Sequence, residues 1–475
     1  MFKTKISSLL IALLFTVNTS VSGQSIKLDK KLGKKNYEEV VKTYGLYNNK
    51  EMNNYLNKVG QKLVSQLDSA LFEYKFYIVN QPEPNAFALP GGYIFITTGI
   101  IPILQTEDEL AGIIGHEIIH SNNRHSVRQL RKKILPTILS LPIKVASAIT
   151  PGSGIITAPI TTSENLIFAS YSRKFENEAD EQGIVLAAKA GYNPLALPKA
   201  LNRLMKAVEF LTGEKETKSY FADHPYTPDR DKNINKIAKD LKIATSDKIS
   251  KDFLLEFEGI TFGNNPANGV NNKNEFLQLN RNFHIKYPEN WILVNNDSVI
   301  IGYSKQKDAF LSLKATTSKL SPKEKAEDYI KNLTKKQKKF FVKSEEYKVN
   351  DKKGYIVNFE EVFFNDTTYA NILWLTINNK LFEISSMSDI KNSKILNDIT
   401  KSIRPLSKTE KESIMIKYIK IVKANKGETI IDLCKRTECA IDPKLAAILN
   451  SHKDNDKLID NEEIKIIKKR QYIQK

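Results

Sequence analysis

The run His116-Glu117-Ile118-Ile119-His120 constrains this chain more than any other feature of its sequence. Two histidines four residues apart lie on one face of an α-helix, about one turn from each other, so the run is predicted to be helical. The surrounding residues are largely apolar, which predicts a buried helix; they include Leu110, Ala111, Ile113 and Ile114. Buried imidazole and carboxylate groups need polar partners, and a metal ion can supply them.

The chemistry of these residues suits metal-assisted hydrolysis. Both imidazoles can reach one Zn²⁺ ion, and the Glu117 carboxylate lies close enough to take a proton from water activated there. Zn²⁺ lowers the pKa of water from about 15.7 to about 7, which provides a hydroxide-like nucleophile near neutral pH. The chain has only 6 histidines in 475 residues, so chance would produce this pattern only about 0.005 times. Two surface histidines on a helix are therefore the weaker interpretation.

A second helix is predicted to complete the site, because catalytic zinc ions usually have three protein ligands. Glu176 and Asp180 are four residues apart and share a helix face. Gly183 and Ala187 continue this face with small side chains, which would let the two helices approach closely. Glu176 is then the favoured third ligand, and Asp180 would accept a hydrogen bond from a ligand histidine. From spacing alone Glu178 competes with Glu176, and a solvated acidic face explains the pattern equally well.

Four segments follow one another in a characteristic order. They are residues 85–95 (Asn-Ala-Phe-Ala-Leu-Pro-Gly-Gly-Tyr-Ile-Phe), the His116–His120 run, residues 172–180 (Ser-Arg-x-x-Glu-x-Glu-Ala-Asp), and His224-Pro225 followed by Arg230. Together they resemble peptidase family M48 over residues 35–240. The resemblance implies a zinc metalloendopeptidase, a hydrolase that holds one Zn²⁺ ion per chain and cleaves internal peptide bonds.

The resemblance also implies roles for the residues around the zinc. It makes His116, His120 and Glu176 the metal ligands, which decides between Glu176 and Glu178. It makes Glu117 the general base.

Three further residues are implied to support this centre. Asp180 matches the acceptor behind a ligand histidine. His224 is implied to lie near the zinc, either as a displaceable fourth ligand or as a donor in the transition state. Arg230 is implied to organise the same pocket.

A strand upstream of the motif is implied to bind the substrate. By the resemblance, Gly91–Thr97 is an edge strand whose backbone pairs with the peptide, although a plain core strand fits the same pattern. The residues assigned to substrate binding are Asn85, Ala86, Gly92, Tyr93, Ile94 and Phe95.

The N-terminus predicts export. Lys3 and Lys5 precede an apolar stretch, Ile6–Val17, and small residues follow at Val21-Ser22-Gly23. This pattern is typical of a cleaved signal peptide over residues 1–23, with an uncleaved anchor as the alternative. The expected location is the periplasm, with association to the membrane or cell wall left open.

A second apolar segment, residues 134–162, is interrupted by four prolines and is too broken to cross a bilayer. It is expected to be a buried helical hairpin or flap, or else a surface for a membrane or partner. The resemblance is therefore to the exported, BepA-like branch of the family rather than to its membrane-spanning members.

The predicted fold class is α+β, in three parts after the signal peptide. Residues 24–250 are expected to form a helix-rich zincin (gluzincin-type) peptidase domain with a small sheet, and residues 251–410 an α+β domain. Residues 411–475 read as strand–helix–helix–strand and are similar to a divergent LysM-like module. Residues 264–275 are expected to be a linker or a long loop. The two cysteines, Cys434 and Cys439, are candidates for one disulfide.

Long helices are predicted from apolar spacing and capping residues. Their predicted bounds are Asn36–Leu67, Glu107–Lys133, Glu164–Ala190 and Lys323–Lys338. The remaining histidines, His125, His284 and His452, are interpreted as structural or exposed rather than as ligands.

The resemblance implies unfolded or stalled envelope proteins as substrates, and pairing through a strand, which reads the peptide backbone more than side chains, is consistent with that class. Peptidoglycan and the outer-membrane assembly machinery are further candidate partners. The net charge of +18 is spread along the chain and mixed with acids, so no nucleic-acid partner is predicted. Two other functions stay open: an envelope chaperone or scaffold with a latent zinc site, and a peptidoglycan-binding adaptor.

Overall fold

The computed structural model describes residues 26–129, 171–213, 220–225, 227–241, 251–295, 299–306, 308–349, 352–363, 366–377, 379–389 and 392–473. Helices and strands both occur in this part of the chain, largely in separate runs, which confirms the mixed α+β class. The predicted signal peptide and the interrupted apolar segment lie outside the described residues. Within the described ranges, no helix combines the length and the apolar character needed to cross a membrane.

The N-terminal part is built mainly of helices around a small sheet. In chain order it contains α1 (residues 26–44), α2 (Lys50–Val64), β1 (Lys75–Val79), β2 (Ala86–Leu89), β3 (Tyr93–Thr97), a 3₁₀ turn (Ile101–Ile103), α3 (Glu107–Asn122), α4 (Arg173–Lys189), α5 (Ala196–Thr212), α6 (Tyr220–Asp223), α7 (Pro228–Asp240) and α8 (Lys251–Glu256).

Three predicted helix bounds are wrong in this part. The helix expected over residues 36–67 is two helices, because Gly45 takes a left-handed conformation (φ 69°) and Asn49 caps a new helix. The helix expected to reach residue 133 is interrupted after Asn122, where Arg124 adopts φ 58°. Residues 125–129 are helical again, and residues 130–133 lie outside the described residues. The helix expected over residues 164–190 is not continuous over that range, because Tyr171 and Ser172 are not helical and α4 begins at Arg173; residues 164–170 lie outside the described residues.

Helix α3 runs through the middle of the N-terminal core. Its N-terminus is fixed by Thr106, whose side chain accepts from the backbone N–H of Glu109 at 3.2 Å. Every residue from Glu109 to Ser121 is buried. Helix α4 packs closely against it, because a Cβ at Gly183 would lie 2.9 Å from the backbone nitrogen of His116. The predicted close approach through small residues is therefore confirmed.

The small sheet has the strand order β1-β3-β2. Strand β3 pairs in parallel with β1 on one side and antiparallel with β2 on the other. The prediction that Gly91–Thr97 forms an edge strand is therefore wrong. The physical reason is that β1 pairs with the side of β3 that β2 leaves free. Both sides of β3 are therefore hydrogen-bonded, and β2 is an edge of this sheet.

The middle part contains two antiparallel sheets and several helices. Its elements are β4 (Val270–Asn272), β5 (Glu275–Gln278), β6 (Phe283–Lys286), β7 (Trp291–Asn295), β8 (Ile300–Ser304), β9 (Ala309–Ala315), α9 (Pro322–Lys331), α10 (Lys335–Lys338), β10 (Phe341–Val349), β11 (Lys352–Phe363), β12 (Asp366–Ile377), β13 (Lys380–Asp389), α11 (Ser393–Lys401) and α12 (Lys408–Ser413).

The larger sheet of this part has the order β10-β11-β12-β13-β9-β8-β7, and alternate residues face opposite sides. Leu373 and Leu375 pack in a core with Leu396 of α11, whereas Ile372 and Trp374 pack in a second core beneath α9. The expected linker at residues 264–275 is wrong, because this stretch contains β4 and the start of β5. The helix expected over residues 323–338 is interrupted after Lys331.

The C-terminal part confirms the predicted order of strand, helix, helix and strand. Its elements are β14 (Met415–Lys423), α13 (Ile430–Arg436), α14 (Pro443–Leu449) and β15 (Glu463–Gln471), and the two strands pair antiparallel. Cys434 and Cys439 are both free thiols in the structure.

The C-terminal part is packed onto the N-terminal core. Leu445, Leu449 and Ile467 belong to the same apolar cluster as α3 and α5. Lys465 is buried, and its Nζ donates to the backbone oxygens of Pro102 and Leu104, just before α3. Burial lowers the pKa of Lys465 well below its usual range.

Candidate metal centre

Helix α3 presents two histidines to one point. His116 and His120 are buried, and their Nε2 atoms lie 2.8 Å apart. The spacing of four residues on a helix makes this convergence possible, as predicted. Burial is the main cause that lowers the pKa of both imidazoles, so both rings are neutral near pH 7 and can offer lone pairs.

Two further groups approach the same point from other elements. Glu176 of α4 places Oε1 3.4 Å from Nε2 of His120. His224, which follows α6, places Nδ1 3.2 Å from Nε2 of His116 and 3.1 Å from Oε1 of Glu176. These four ligand atoms all lie within 4.8 Å of one another. The structure therefore brings together the three predicted ligands and the predicted neighbour.

Behind His116 lies a buried network of opposite charges. The Nδ1 atom of His116 lies 2.9 Å from Oδ1 of Asp180. Arg230 donates to both oxygens of Asp180, at 2.5 and 2.8 Å, and its Nη1 lies 2.7 Å from Oε2 of Glu176. Although burial opposes their charges, Arg230 helps to hold the pKa of both carboxyls below the usual range. Asp180 and Arg230 thus lie where the sequence placed them.

Beside the cluster lies a carboxylate with no direct partner. Glu117 is fully buried, and neither of its oxygens has a hydrogen-bond partner among the described residues. The nearest cationic group is His224, whose Nε2 is 3.5 Å away. Burial raises the pKa of Glu117 to about 8. A buried, unpaired carboxylate is costly, so this position needs a polar group that belongs to water or substrate.

His224 is held from several sides. Its ring stacks on Tyr220 with a centroid distance of 4.4 Å, and its carbonyl accepts from Nη1 of Arg230 at 3.1 Å. Burial disfavours its charge, but Glu176 and Glu117 raise the pKa of His224 to about 9. Nδ1 of His224 lies among the other three donor atoms, a placement compatible with both predicted roles, a displaceable fourth ligand and a transition-state donor.

The donor set fits a zinc ion. Two or three imidazole nitrogens with one carboxylate oxygen are the ligands that Zn²⁺ takes in proteins. The Nε2 atoms of two neutral imidazoles face each other, and a cation between them would accept both lone pairs. The oxygens of Glu117 beside them have no hydrogen-bond partner among the described residues, and a water bound to that cation would supply one. The residues that would hold the ion are His116, His120, Glu176 and, in this conformation, His224.

The residues assigned to substrate binding are buried or half-buried in and around β2 and β3. Ile94 and Phe95 are fully buried in the central strand β3, and Gly92 lies in the tight turn that precedes it. Asn85 is buried and donates from Nδ2 to Oδ2 of Asp223 at 2.9 Å, next to His224. Its side chain therefore ties the segment before β2 to the His224 loop. Tyr93 is half-buried in β3, and Ala86 is buried at the start of β2.

Comparison with known proteins agrees with this geometry. Residues 50–238 match the sequence profile of Peptidase family M48. These residues form an M48 peptidase domain. The chain is 29% identical over 213 residues to mitochondrial metalloendopeptidase OMA1 of Schizosaccharomyces pombe, covering 44% of this chain and 61% of that protein.

Two bacterial relatives show the same level of identity. The chain is 29% identical over 218 residues to a putative beta-barrel assembly-enhancing protease of Vibrio cholerae, covering 44% of each. It is 29% identical over 172 residues to the beta-barrel assembly-enhancing protease of Escherichia coli, covering 35% of each. The chain thus spans less than two thirds of each relative, and the similarity identifies a metallopeptidase domain within it.

The M48 domain also contains neighbours of the site that sequence reasoning missed. Tyr171 stacks on His120 with a centroid distance of 4.0 Å, and Tyr220 stacks on His224. His125, interpreted as structural or exposed, is fully buried with Nδ1 3.0 Å from Nδ1 of His120. An additional histidine five residues after the motif was the available signal, but its direction depends on the helix ending at Asn122.

Proposed function

We propose that the protein is a zinc-dependent metalloendopeptidase of the bacterial cell envelope, in which Glu117 is the general base. The observation that carries this proposal is one cluster: four convergent donor atoms with the unpaired, buried carboxylate of Glu117 beside them. The membership of residues 50–238 in an endopeptidase-containing family supports the same reaction.

The residues of the site divide the chemistry among them. A bound Zn²⁺ supplies Lewis acidity, which activates water and polarises a peptide carbonyl. Glu117 accepts the proton of the attacking water and delivers it to the leaving amine, a role that suits a buried carboxyl whose oxygens have no hydrogen-bond partner among the described residues. Asp180 orients His116, and Arg230 compensates the charges of Asp180 and Glu176.

His224 makes the described conformation a closed one. Catalytic zinc sites keep one position open, whereas sites with four protein ligands are structural. With Nδ1 of His224 in the cluster, substrate access requires this ring to leave. We infer that the enzyme is latent until the loop that carries His224 moves.

The first test is metal content together with the Glu117→Gln variant. The purified full chain should bind about one zinc ion, and cleavage of an unfolded protein such as casein should require it. Glu117→Gln should retain zinc and lose at least about 10²-fold in kcat/KM. Less than about half an equivalent of zinc after supplementation, or full activity in the variant, rejects the proposal.

A second test addresses latency. His224→Ala should retain zinc through the other three ligands and should cleave casein faster than the wild type. An unchanged or lower rate in this variant, with zinc bound, would show that His224 does not block the site. It would then favour the alternative role of a transition-state donor.

One alternative function is supported by the same feature. Because His224 fills the fourth position, the protein could serve as an envelope chaperone or scaffold whose zinc site stays latent. Complementation of an envelope defect by Glu117→Gln discriminates the two. Rescue by this variant favours the chaperone, whereas failure of a folded, zinc-loaded variant favours the peptidase.

The proposed location and substrates rest on two observations. The apolar N-terminal stretch is typical of an exported protein, and two relatives are described as beta-barrel assembly-enhancing proteases. We therefore propose action in the periplasm on misfolded or stalled envelope proteins. Fractionation of cells with antibody detection tests the location, and accumulation of uncleaved envelope proteins with Glu117→Gln tests the substrate class.

A further inference from the structure

Behind His120 lies a second histidine that the proposed reaction does not use. His125 is fully buried, and its Nδ1 lies 3.0 Å from Nδ1 of His120. On its other side, Nε2 lies 3.6 Å from Oε1 of Glu178. The three side chains form a line that starts at a metal ligand and ends at a carboxylate whose side chain is 25% exposed.

Metal binding fixes where the protons of this line must be. If Nε2 of His120 gives its lone pair to a cation, the neutral ring carries its proton on Nδ1. That proton faces Nδ1 of His125, which must therefore be the acceptor. The proton of neutral His125 then sits on Nε2, on the side of Glu178. Each ring nitrogen of His120 and His125 is thus either a donor or an acceptor, and no two donors face each other.

The backbone conformation at the end of α3 brings His125 close to His120. In a continuous helix, a residue five positions on lies about 140° around the axis from His120 and would face away. Helix α3 instead ends at Asn122, and Arg124 takes the left-handed conformation with φ 58°. Arg124 is anchored there by Nε, 2.8 Å from Oδ2 of Asp29. The helical register of α3 is therefore broken before residue 125, and Nδ1 of His125 lies 3.0 Å from Nδ1 of His120.

The far end of the line is also held in place. Asn123 donates from Nδ2 to Oε1 of Glu178 at 2.7 Å, and Nη1 of Arg128 lies 3.6 Å from the same oxygen. The ring of His125 stacks on Phe175 at 4.4 Å with an angle of 11° between the planes. These contacts fix both the plane of the His125 ring and the carboxylate that its Nε2 faces.

We propose that His125 is a positioning residue that accepts a hydrogen bond from Nδ1 of the metal ligand His120 and turns its Nε2 toward the carboxylate of Glu178. This inference rests on the proposed zinc site. On spacing alone, Glu178 competed with Glu176 for the role of metal ligand. In this proposal Glu178 is not a ligand but lies behind His125, one residue further from the metal. Groups of this kind fix the tautomer of a ligand histidine and strengthen its binding to the metal.

The test compares zinc affinities of full-length variants by competition with a chromophoric chelator. His125→Phe keeps a ring that can stack on Phe175 but has no acceptor, whereas His125→Asn keeps an acceptor at the δ position. The Phe variant should bind zinc about 10- to 100-fold more weakly than the wild type, and the Asn variant should recover most of the loss. His452→Phe, which removes a histidine paired with Glu462 in the C-terminal part, is the matched control and should bind normally.

A second readout separates orientation from packing. In the Co²⁺-loaded protein, the visible spectrum should change in His125→Phe and resemble the wild type in His125→Asn. If the Phe variant does not fold, the ¹⁵N imidazole spectrum of the zinc-loaded wild type decides. It should show His125 protonated on Nε2 and His120 on Nδ1, and a proton on Nδ1 of His125 overturns the proposal.

The outcomes distinguish this proposal from the one on which it rests. A wild type that binds no zinc refutes both. A wild type that binds zinc, with equal affinity in His125→Phe, refutes the positioning role alone. Equal losses in the Phe and Asn variants, with both folded, also refute it, because packing and not the acceptor would then be responsible.

Discussion

The two histidines of α3 are supported in different ways. Behind His116 the acceptor is a carboxylate in direct contact, Asp180, which a buried arginine compensates. Behind His120 the nearest group is a neutral histidine, and the carboxylate of Glu178 stands one residue further out at a partly exposed position. The support behind His116, which we call the His116 arm, is direct, charged and buried. The support behind His120, the His120 arm, runs through a second residue to a partly exposed carboxylate.

The two arms orient a ligand histidine in the same way but differ in how much charge they bury. The His116 arm carries buried charges, so its stability depends on Arg230 being present. The His120 arm buries no net charge next to the ligand, so removal of its outer carboxylate leaves no isolated ion inside the protein. Variants in the two arms should therefore differ in stability more than in metal affinity.

The largest effect is expected for Arg230→Met. This change leaves the carboxylates of Asp180 and Glu176 buried without their cation, and the free energy of unfolding of the metal-free protein should fall by about 3–5 kcal/mol. Urea unfolding measures it. Arg404→Met, which breaks a partly exposed pair with Glu410, is the control and should cost about 1 kcal/mol or less. Equal losses would show that burial of the network does not matter.

A pH dependence should identify the His120 arm. Burial lowers the pKa of His125 from 6.5 to about 4, so below pH 6.5 the unfolded chain binds a proton that the folded metal-free protein does not. The unfolding free energy should therefore fall between pH 6.5 and about 4, by about 3 kcal/mol at most. His125→Asn should lose less over the same window. Identical pH slopes in wild type and variant would contradict this assignment.

The outer carboxylates should differ in their effect on zinc. Asp180→Asn changes the group in direct contact with His116 and should weaken zinc binding about 10- to 100-fold. Glu178→Gln acts only through His125 and should weaken it less than about tenfold. Chelator competition on both variants measures the ratio. A larger loss for Glu178→Gln would reverse the ranking of the two arms.

The smallest effect is expected for Arg128→Ala. Arg128 lies 3.6 Å from Glu178, and its side chain is 44% exposed, so solvent screens the pair. The unfolding free energy should change by less than about 1 kcal/mol, and zinc affinity should stay within about twofold. A strong effect that disappears at high salt would show that the outer end of the His120 arm is less screened than its exposure indicates.

Local spacing predicted part of the inner site, although the choice of Glu176 over Glu178 came from the resemblance to the family. Two residues four apart on a helix must share a face, so His116 with His120 and Glu176 with Asp180 could be paired from the sequence. Small residues on α4 also predicted the close approach that Gly183 makes.

What failed depended on contacts between distant segments. Whether β3 is an edge or a centre is decided by where β1 returns, and no pattern within β3 records it. The direction of His125 depends on a helix end at Asn122, which no glycine or proline marks. Helix ends and strand neighbours are set by tertiary packing, so patterns in a single sequence predict them poorly.

The buried Lys465 has a consequence for the independence of the peptidase domain. The match to the family ends at residue 238, yet the backbone oxygens of Pro102 and Leu104 accept from a side chain of β15, and Leu445 and Leu449 cover part of the same core. The domain is thus stabilised by residues far beyond its own family boundary. We expect residues 50–238, when excised, to be less stable than the same residues within the longer chain.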